Sequence, residues 1–262
     1  MSLIARDITF ALGGKTILSD VAFTARPGAV TAIVGPNGSG KSTLLRILSG
    51  EESAGGAVTL NGMAVTARNA SDLARIRGVL PQAANMAFPF TVIEVLRIGL
   101  QAGPYALRKG VAEEALNAVG LTDYAGRYYH ELSGGEQQRT QLARVLCQVW
   151  EPVLDGTPSW LLLDEPVASL DIGHQLIIME LARRYGDAGG GVVTVMHDLN
   201  LTALYADRVA LMQDGQIAAE GAPSDVLTDA ILSEAYGCHL RVNAPPPPGL
   251  PYILPHMARL GD

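Results

Sequence analysis

GPNGSGKST, residues 35–43, is the stretch on which the reading of this chain turns. It fills the pattern GxxxxGK[ST], and its flanks are the ones that pattern requires. AVTAIV (29–34) precedes it, an apolar β-rich run, and a helix is expected from Lys41 onward. Gly35, Gly38 and Gly40 allow backbone angles that turn successive N–H groups inward, forming a cradle for phosphate oxygens. The start of the helix adds its positive end. Gly35, Pro36, Asn37, Gly38, Ser39, Gly40, Lys41, Ser42 and Thr43 are therefore the expected nucleotide-binding residues. Lys41 is expected to reach the β- and γ-phosphates, and the Ser42 hydroxyl to ligate Mg2+.

Two further apolar runs end in polar residues of the right chemistry. SWLLLDEP (159–166) puts Asp164 and Glu165 at the end of a buried strand. Ligands of parallel α/β sheets gather at such strand ends. Asp164 is expected to help hold Mg2+, and Glu165 to polarise an attacking water as general base. VVTVMHDLN (192–200) puts His197 at the end of another strand, on the same edge of the sheet. A phosphate contact or a hold on the attacking water is its expected role. Gln82, in GVLPQ, stands where a short strand gives way to a helical stretch, and is expected to ligate and sense the metal.

Outward from these motifs the chain alternates strands and helices. A helix over 134–149, a strand at 160–163, a helix over about 172–185 and a strand at 192–196 predict a mostly parallel sheet covered on both faces. Hairpins are expected at Asn61-Gly62 and Asp214-Gly215. Residues 85–130 carry helical spacing broken by Gly and Pro, and read as a helical insertion. APPPPGLPYILP (244–255) is expected to be extended.

Composition narrows the partners. Of 262 residues, 48% are apolar and 17% charged, which suits a folded globular chain with a real core. The net charge of −7 argues against a general nucleic-acid binder, which needs a basic stripe. Cys147 and Cys238 form no CxxC and are expected to be reduced thiols. The start MSLIARDITF shows no signal peptide, and no apolar run approaches the roughly 18 residues of a membrane span. A cytoplasmic location is expected, with any membrane role exercised through a partner.

ELSGGEQQRTQLARVL (131–146) remains to be explained. Ser133 and Glu136 have the spacing of a capping box, and the residues after them are strong helix formers. A cap needs no paired glycines, however. Gly134 and Gly135 leave the helix start bare to a second anion, with no lysine of its own.

LSGGEQQR resembles the signature sequence of the ABC-type ATPases. Residues 35–43, Gln82, LLLDEP, ASLD (168–171) and His197 are similar to that family's other motifs, in its order, over roughly residues 3–225. The resemblance implies a P-loop NTPase fold: a RecA-like parallel core and an antiparallel β subdomain (1–84 and 153–240), with a helical subdomain inserted at 85–152. A Pro-rich tail (241–262) follows. It implies a head-to-tail homodimer, in which Ser133, Gly134, Gly135 and Glu136 of one copy close over the ATP of the other, with Asp171 at the seam. It also implies that the helical subdomain grips polytopic membrane permease subunits, two copies in all, at the cytoplasmic face of the bacterial inner membrane. A substrate-binding protein acts upstream of them.

Two features depart from the common pattern. Leu12, not an aromatic residue, precedes Gly13, where many members stack adenine, and Phe10 is the nearest ring. The connection WEPVLDGTPSW (150–160) is long. HDLNLTALYADRVALMQDGQIAAEG (197–221) is similar to the ATPases of iron-chelate and cobalamin importers, and the long connection with the PGLPYILP tail to those of haem importers. Siderophore or cobalamin import, and a soluble ATPase of the iron–sulfur assembly type, are the alternatives.

Overall fold

The computed structural model describes residues 1–82, 86 and 88–254. Strands β1 (Leu3–Leu12) and β2 (Lys15–Ala25) form an antiparallel pair. β3 (Ala29–Val34) runs through the glycine loop into α1 (Lys41–Ser49). β4 (Gly55–Leu60) and β5 (Met63–Ala64) follow, then α2 (Ala70–Ala74) and β6 (Arg77–Leu80). A helical stretch comes next: α3 (Val92–Ala102), α4 (Val111–Ala118) and α5 (Gly134–Gln148). After a small hairpin, β7 (Val153–Leu154) and β8 (Thr157–Pro158), the α/β pattern resumes. It comprises β9 (Trp160–Asp164), α6 (Ile172–Asp187), β10 (Gly191–Val195), α7 (Leu199–Tyr205), β11 (Arg208–Gln213) and β12 (Gln216–Gly221). Two short helices, α8 (Pro223–Val226) and α9 (Asp229–Tyr236), follow.

The strands make two principal sheets. One is antiparallel, in the order β2-β1-β4-β5. The other has the order β12-β11-β3-β10-β9-β6, parallel except for the edge strand β12. Parallel strands inside such a sheet are buried on both faces, so their residues are apolar on both. Val30, Ala32, Val34, Leu161 and Leu163 face one core, which also takes in α3 to α6. Ile33, Trp160, Leu162, Val193 and Val195 face a second core, shared with α1 and the antiparallel sheet. Each fully buried Val, Leu or Ile among them stabilises the fold by about 1.5–3 kcal/mol relative to exposure.

The helical stretch belongs to the first core, so its position is coupled to the main sheet. α3 and α5 cross closely at Gly99, where an added Cβ would lie 2.0 Å from the Arg144 carbonyl oxygen.

Most expected elements are present. The turns at Asn61-Gly62 and Asp214-Gly215 have the paired positive φ of hairpin turns, 50° and 85° at the first and 48° and 78° at the second. Three readings change. The 150–160 connection is not an irregular loop: it folds as the β7–β8 hairpin on Asp155-Gly156. Strand β10 ends at Val195 rather than Met196. Helices α8 and α9 were not foreseen, although Thr228 caps α9 and Gly237 closes it at φ 65°. Residues 244–254 are neither helix nor strand, as the proline run requires. Residue 85 at the expected subdomain border and residues 255–262 of the tail lie outside the described residues. No helix among the described residues is long and apolar enough to cross a membrane.

Candidate nucleotide site

Register brings the motifs to one edge. Val195 pairs with both Ile33 and Asp164, and Leu80 pairs with Leu163. The chain therefore leaves β3 at Gly35, β9 at Glu165, β10 at Met196 and His197, and β6 at Pro81 and Gln82 along the same carboxyl side.

Gly35 sits at φ 142°, and a Cβ there would lie 2.1 Å from the Met212 carbonyl oxygen. Only glycine lets the loop leave β3 so close to β11. α1 starts after Gly40 with no side-chain cap, so its first N–H groups remain available to an anion. Ser39 Oγ is buried with no partner among the described residues. Lys41 is buried, and its Nζ donates to the carbonyls of Gly35 (2.8 Å) and Pro36 (2.9 Å). Burial lowers its pKa, against the opposing pull of Glu165 and Asp164. The ammonium thus rests inside the loop that it would serve, and needs only to exchange carbonyls for phosphate oxygens.

Ser42 Oγ donates to Asp164 Oδ1 at 3.0 Å. Desolvation raises the Asp164 pKa; the Ser42 hydroxyl opposes that shift, and the Glu165 charge adds to it. Ser42, Gln82 and Asp164 line one cavity, with Arg46 and Glu51 at its wall. A hydroxyl, an amide and a carboxylate are hard oxygen donors, the set that suits Mg2+. No group of three or more His, Cys, Asp or Glu that could hold a metal ion is present among the described residues. A cation here would complete its shell with nucleotide oxygens and water, as Mg2+ commonly does.

Glu165 and His197 are brought together: His197 Nε2 lies 2.6 Å from Glu165 Oε1. The Glu165 side chain is 13% exposed and the His197 ring 45%, so the pair sits at the mouth of the site. Glu165 holds a left-handed backbone, φ 50°. Its N–H donates to the Val195 carbonyl, and its own carbonyl accepts from Gln138 Nε2 at 2.8 Å.

The second glycine loop is elsewhere. Among the described residues, no hydrogen bond or ion pair joins Ser133–Glu136 to the loop at 35–43. The capping box is present: Glu136 Oε2 accepts from Ser133 N–H and Oγ–H, both at 2.8 Å. Tyr124 donates to Glu136 Oε1 at 2.8 Å. The Ser133 bonds, then the Tyr124 hydroxyl, hold the Glu136 pKa at about 2. Gly134 is exposed, has no positive φ, and an added Cβ would meet nothing within 4 Å. Among the described residues, nothing requires glycine at 134. Gly135 lies against the next loop, its added Cβ 3.3 Å from the Ser169 carbonyl oxygen. Asp171 caps α6 with its side chain 69% exposed, and bonds to His174 N–H and ring hold its pKa down.

Leu12 is exposed at the end of β1, while Phe10 packs partly against the second core. Sequence reasoning missed Tyr124 and Gln138. Tyr124 belongs to no motif, and Gln138 lies inside LSGGEQQR but reads there only as a helix former; the fold places them against Glu136 and Glu165.

Residues 18–168 match the family model described as ABC transporter. Over 258 residues the chain is 60% identical to the "Hemin import ATP-binding protein HmuV" of Roseobacter denitrificans, covering 98% of this chain and 99% of that one. Among solved structures it is similar to the ADP conformation of an ATP-binding cassette of an ABC transporter, at TM-score 0.75 and 27% identity over 90% of this chain and 98% of the other. It is also similar to a cassette solved as the dimeric post-hydrolysis state bound to ADP and Pi, at TM-score 0.72 and 25% identity over 84% and 98%.

Proposed function

We propose, from the premise that this chain belongs to the ABC transporter ATP-binding family, that it is the ATP-hydrolysing subunit of an importer and that its cargo is haem. The observation that carries the cargo is the end-to-end likeness to a hemin import ATP-binding protein, which spans the 150–160 hairpin and nearly all of the tail.

The loop Gly35–Thr43 binds the nucleotide phosphates through its N–H groups and Lys41. Ser42, Gln82 and Asp164 would hold Mg2+, which offsets phosphate charge when bound. Glu165 takes the proton of the attacking water. His197 fixes the direction of that carboxylate through the 2.6 Å contact. Ser133, Gly134, Gly135 and Glu136 serve a second copy: the open space at Gly134 supports an approach from outside the chain. Asp171 lies at the seam. Closure on ATP and reopening after hydrolysis are the two states that drive the permease.

The core subdomains at 1–84 and 153–240 carry the chemistry. The helical subdomain at 85–152 offers the permease an apolar surface, with Phe88, Ile98, Leu107 and Tyr128 all exposed. Two permease subunits hold the ATPase dimer at the cytoplasmic face of the bacterial inner membrane, and a substrate-binding protein delivers cargo from the other side.

The test is ATP-driven uptake into vesicles that contain the co-purified permease, with haem, a ferric siderophore and cobalamin offered in turn. Uptake of haem alone is expected. Uptake of siderophore or cobalamin without haem overturns the cargo. ATP hydrolysis without any retained polytopic partner overturns transport.

A further inference from the structure

Glu165 is a non-glycine residue in the left-handed region, at φ 50°. That conformation is disfavoured for an L-residue and persists only where its surroundings hold it. Its N–H is tied to the Val195 carbonyl at 3.2 Å and its carbonyl accepts from Ala168 N–H at 3.3 Å, both long bonds. The short one comes from outside the strand and its turn: Gln138 Nε2 donates to the Glu165 carbonyl at 2.8 Å. Gln138 Oε1 is buried without a partner among the described residues. Turned end for end, the amide would set that oxygen against a carbonyl, so its orientation as a donor is fixed.

Gln138 also lies one helical turn beyond Gly134, on the helix that opens with the second glycine loop. A shift of the start of α5 reaches the Glu165 main chain through this one amide. Gly135 faces the loop that follows Glu165, where a Cβ added to it would lie 3.3 Å from the Ser169 carbonyl oxygen. The direction of the Glu165 carboxylate toward His197 follows from the main chain that carries it.

We infer that Gln138 is a positioning residue for hydrolysis: its amide holds the Glu165 backbone so that the carboxylate points at the reacting water, and so ties that aim to the position of α5 in the same chain. The inference rests on Glu165 being the general base.

The test uses the full chain with Gln138→Met, which keeps length and removes the donor. Steady-state kcat falls about tenfold, the loss of one hydrogen bond, while KM for ATP stays within about twofold. The ATP-bound dimer, read by light scattering, accumulates as turnover slows. The melting temperature of the nucleotide-free chain stays within about 3 °C of the parent's. Unchanged kcat in Gln138→Met, with Glu165→Gln inactive, overturns the inference and spares the base. Full activity in Glu165→Gln removes the base and the inference with it. A joint shift of KM, kcat and melting temperature in Gln138→Met reduces Gln138 to a packing residue, and also overturns it.

Discussion

Asp164→Asn should stabilise the empty protein and weaken its response to nucleotide. Asp164 is 5% exposed at the end of β9, and among the described residues only the Ser42 hydroxyl donates to it. Desolvation, with the Glu165 charge in support, pushes its pKa above the ordinary carboxylate value. An acid with a raised folded pKa destabilises the fold once ionised. That cost is absent below the unfolded pKa, grows as pH rises, and is complete above the folded pKa. Asparagine keeps the acceptor for Ser42 and carries no charge. Removing a poorly solvated charge is worth about 1 kcal/mol here, and so raises the melting temperature by roughly 3 °C at neutral pH. The gain should shrink as pH falls through the raised pKa, because the parent carboxyl then neutralises itself. A non-hydrolysable ATP analogue with Mg2+ at about 100 Kd should stabilise the parent by about 2.7 kcal/mol, or roughly 8 °C. Without the carboxylate the Mg2+-dependent part of that shift is lost, so the variant melts higher when empty and lower when loaded. Scanning calorimetry with and without Mg2+ and analogue reads both signs. A variant that melts lower when empty, or that responds to Mg2+ as the parent does, refutes the reasoning.

Three further changes probe separate parts. Glu165→Gln should keep ATP binding, lose turnover and trap a dimer visible by light scattering; normal steady-state hydrolysis would exclude Glu165 as the base. Gly99→Ala places a Cβ 2.0 Å from the Arg144 carbonyl oxygen and must part α3 from α5, at a cost on the order of 3 kcal/mol in chemical denaturation. An unchanged midpoint would mean that the two helices adjust freely. Leu107→Asp, at a side chain 96% exposed, should leave the ATPase rate of the isolated protein intact and lower the rate that the permease stimulates. Equal stimulation would place the partner on another surface.

The parallel core and the phosphate loop were legible because local signals and long-range packing agree there. Apolar runs such as WLLL, bounded by polar and turn residues, suit a two-faced sheet, and Gly35 to Ser42 have the spacing of a phosphate cradle between a strand and a helix. The β7–β8 hairpin was hidden by its size: two-residue strands carry no period, although Asp155-Gly156 has the same turn chemistry as the other two hairpins. α8 and α9 were hidden for a similar reason. α8 has four residues and α9 eight, and they hold through Val226, Leu232 and Ala235 packed on the first core rather than through strong periodicity of their own. Glu165 at positive φ could not be foreseen, because local preference is against it.

That strained residue bears on why one chain carries two glycine loops. The first is complete in itself, since Lys41 already lies within its curve. The second has a capping serine, an ionised Glu136 and a glycine at 134 that nothing among the described residues needs. A site shared between two copies gives Gly134 a purpose, but a shared site also needs a report that it is shared. α5 starts at the second loop and carries, one turn later, the amide bonded to the Glu165 carbonyl. Closure over a partner's nucleotide then acts at both ends of one helix turn. The Gln138 bond that holds the strained Glu165 main chain is the link through which the position of the second loop reaches the carboxylate.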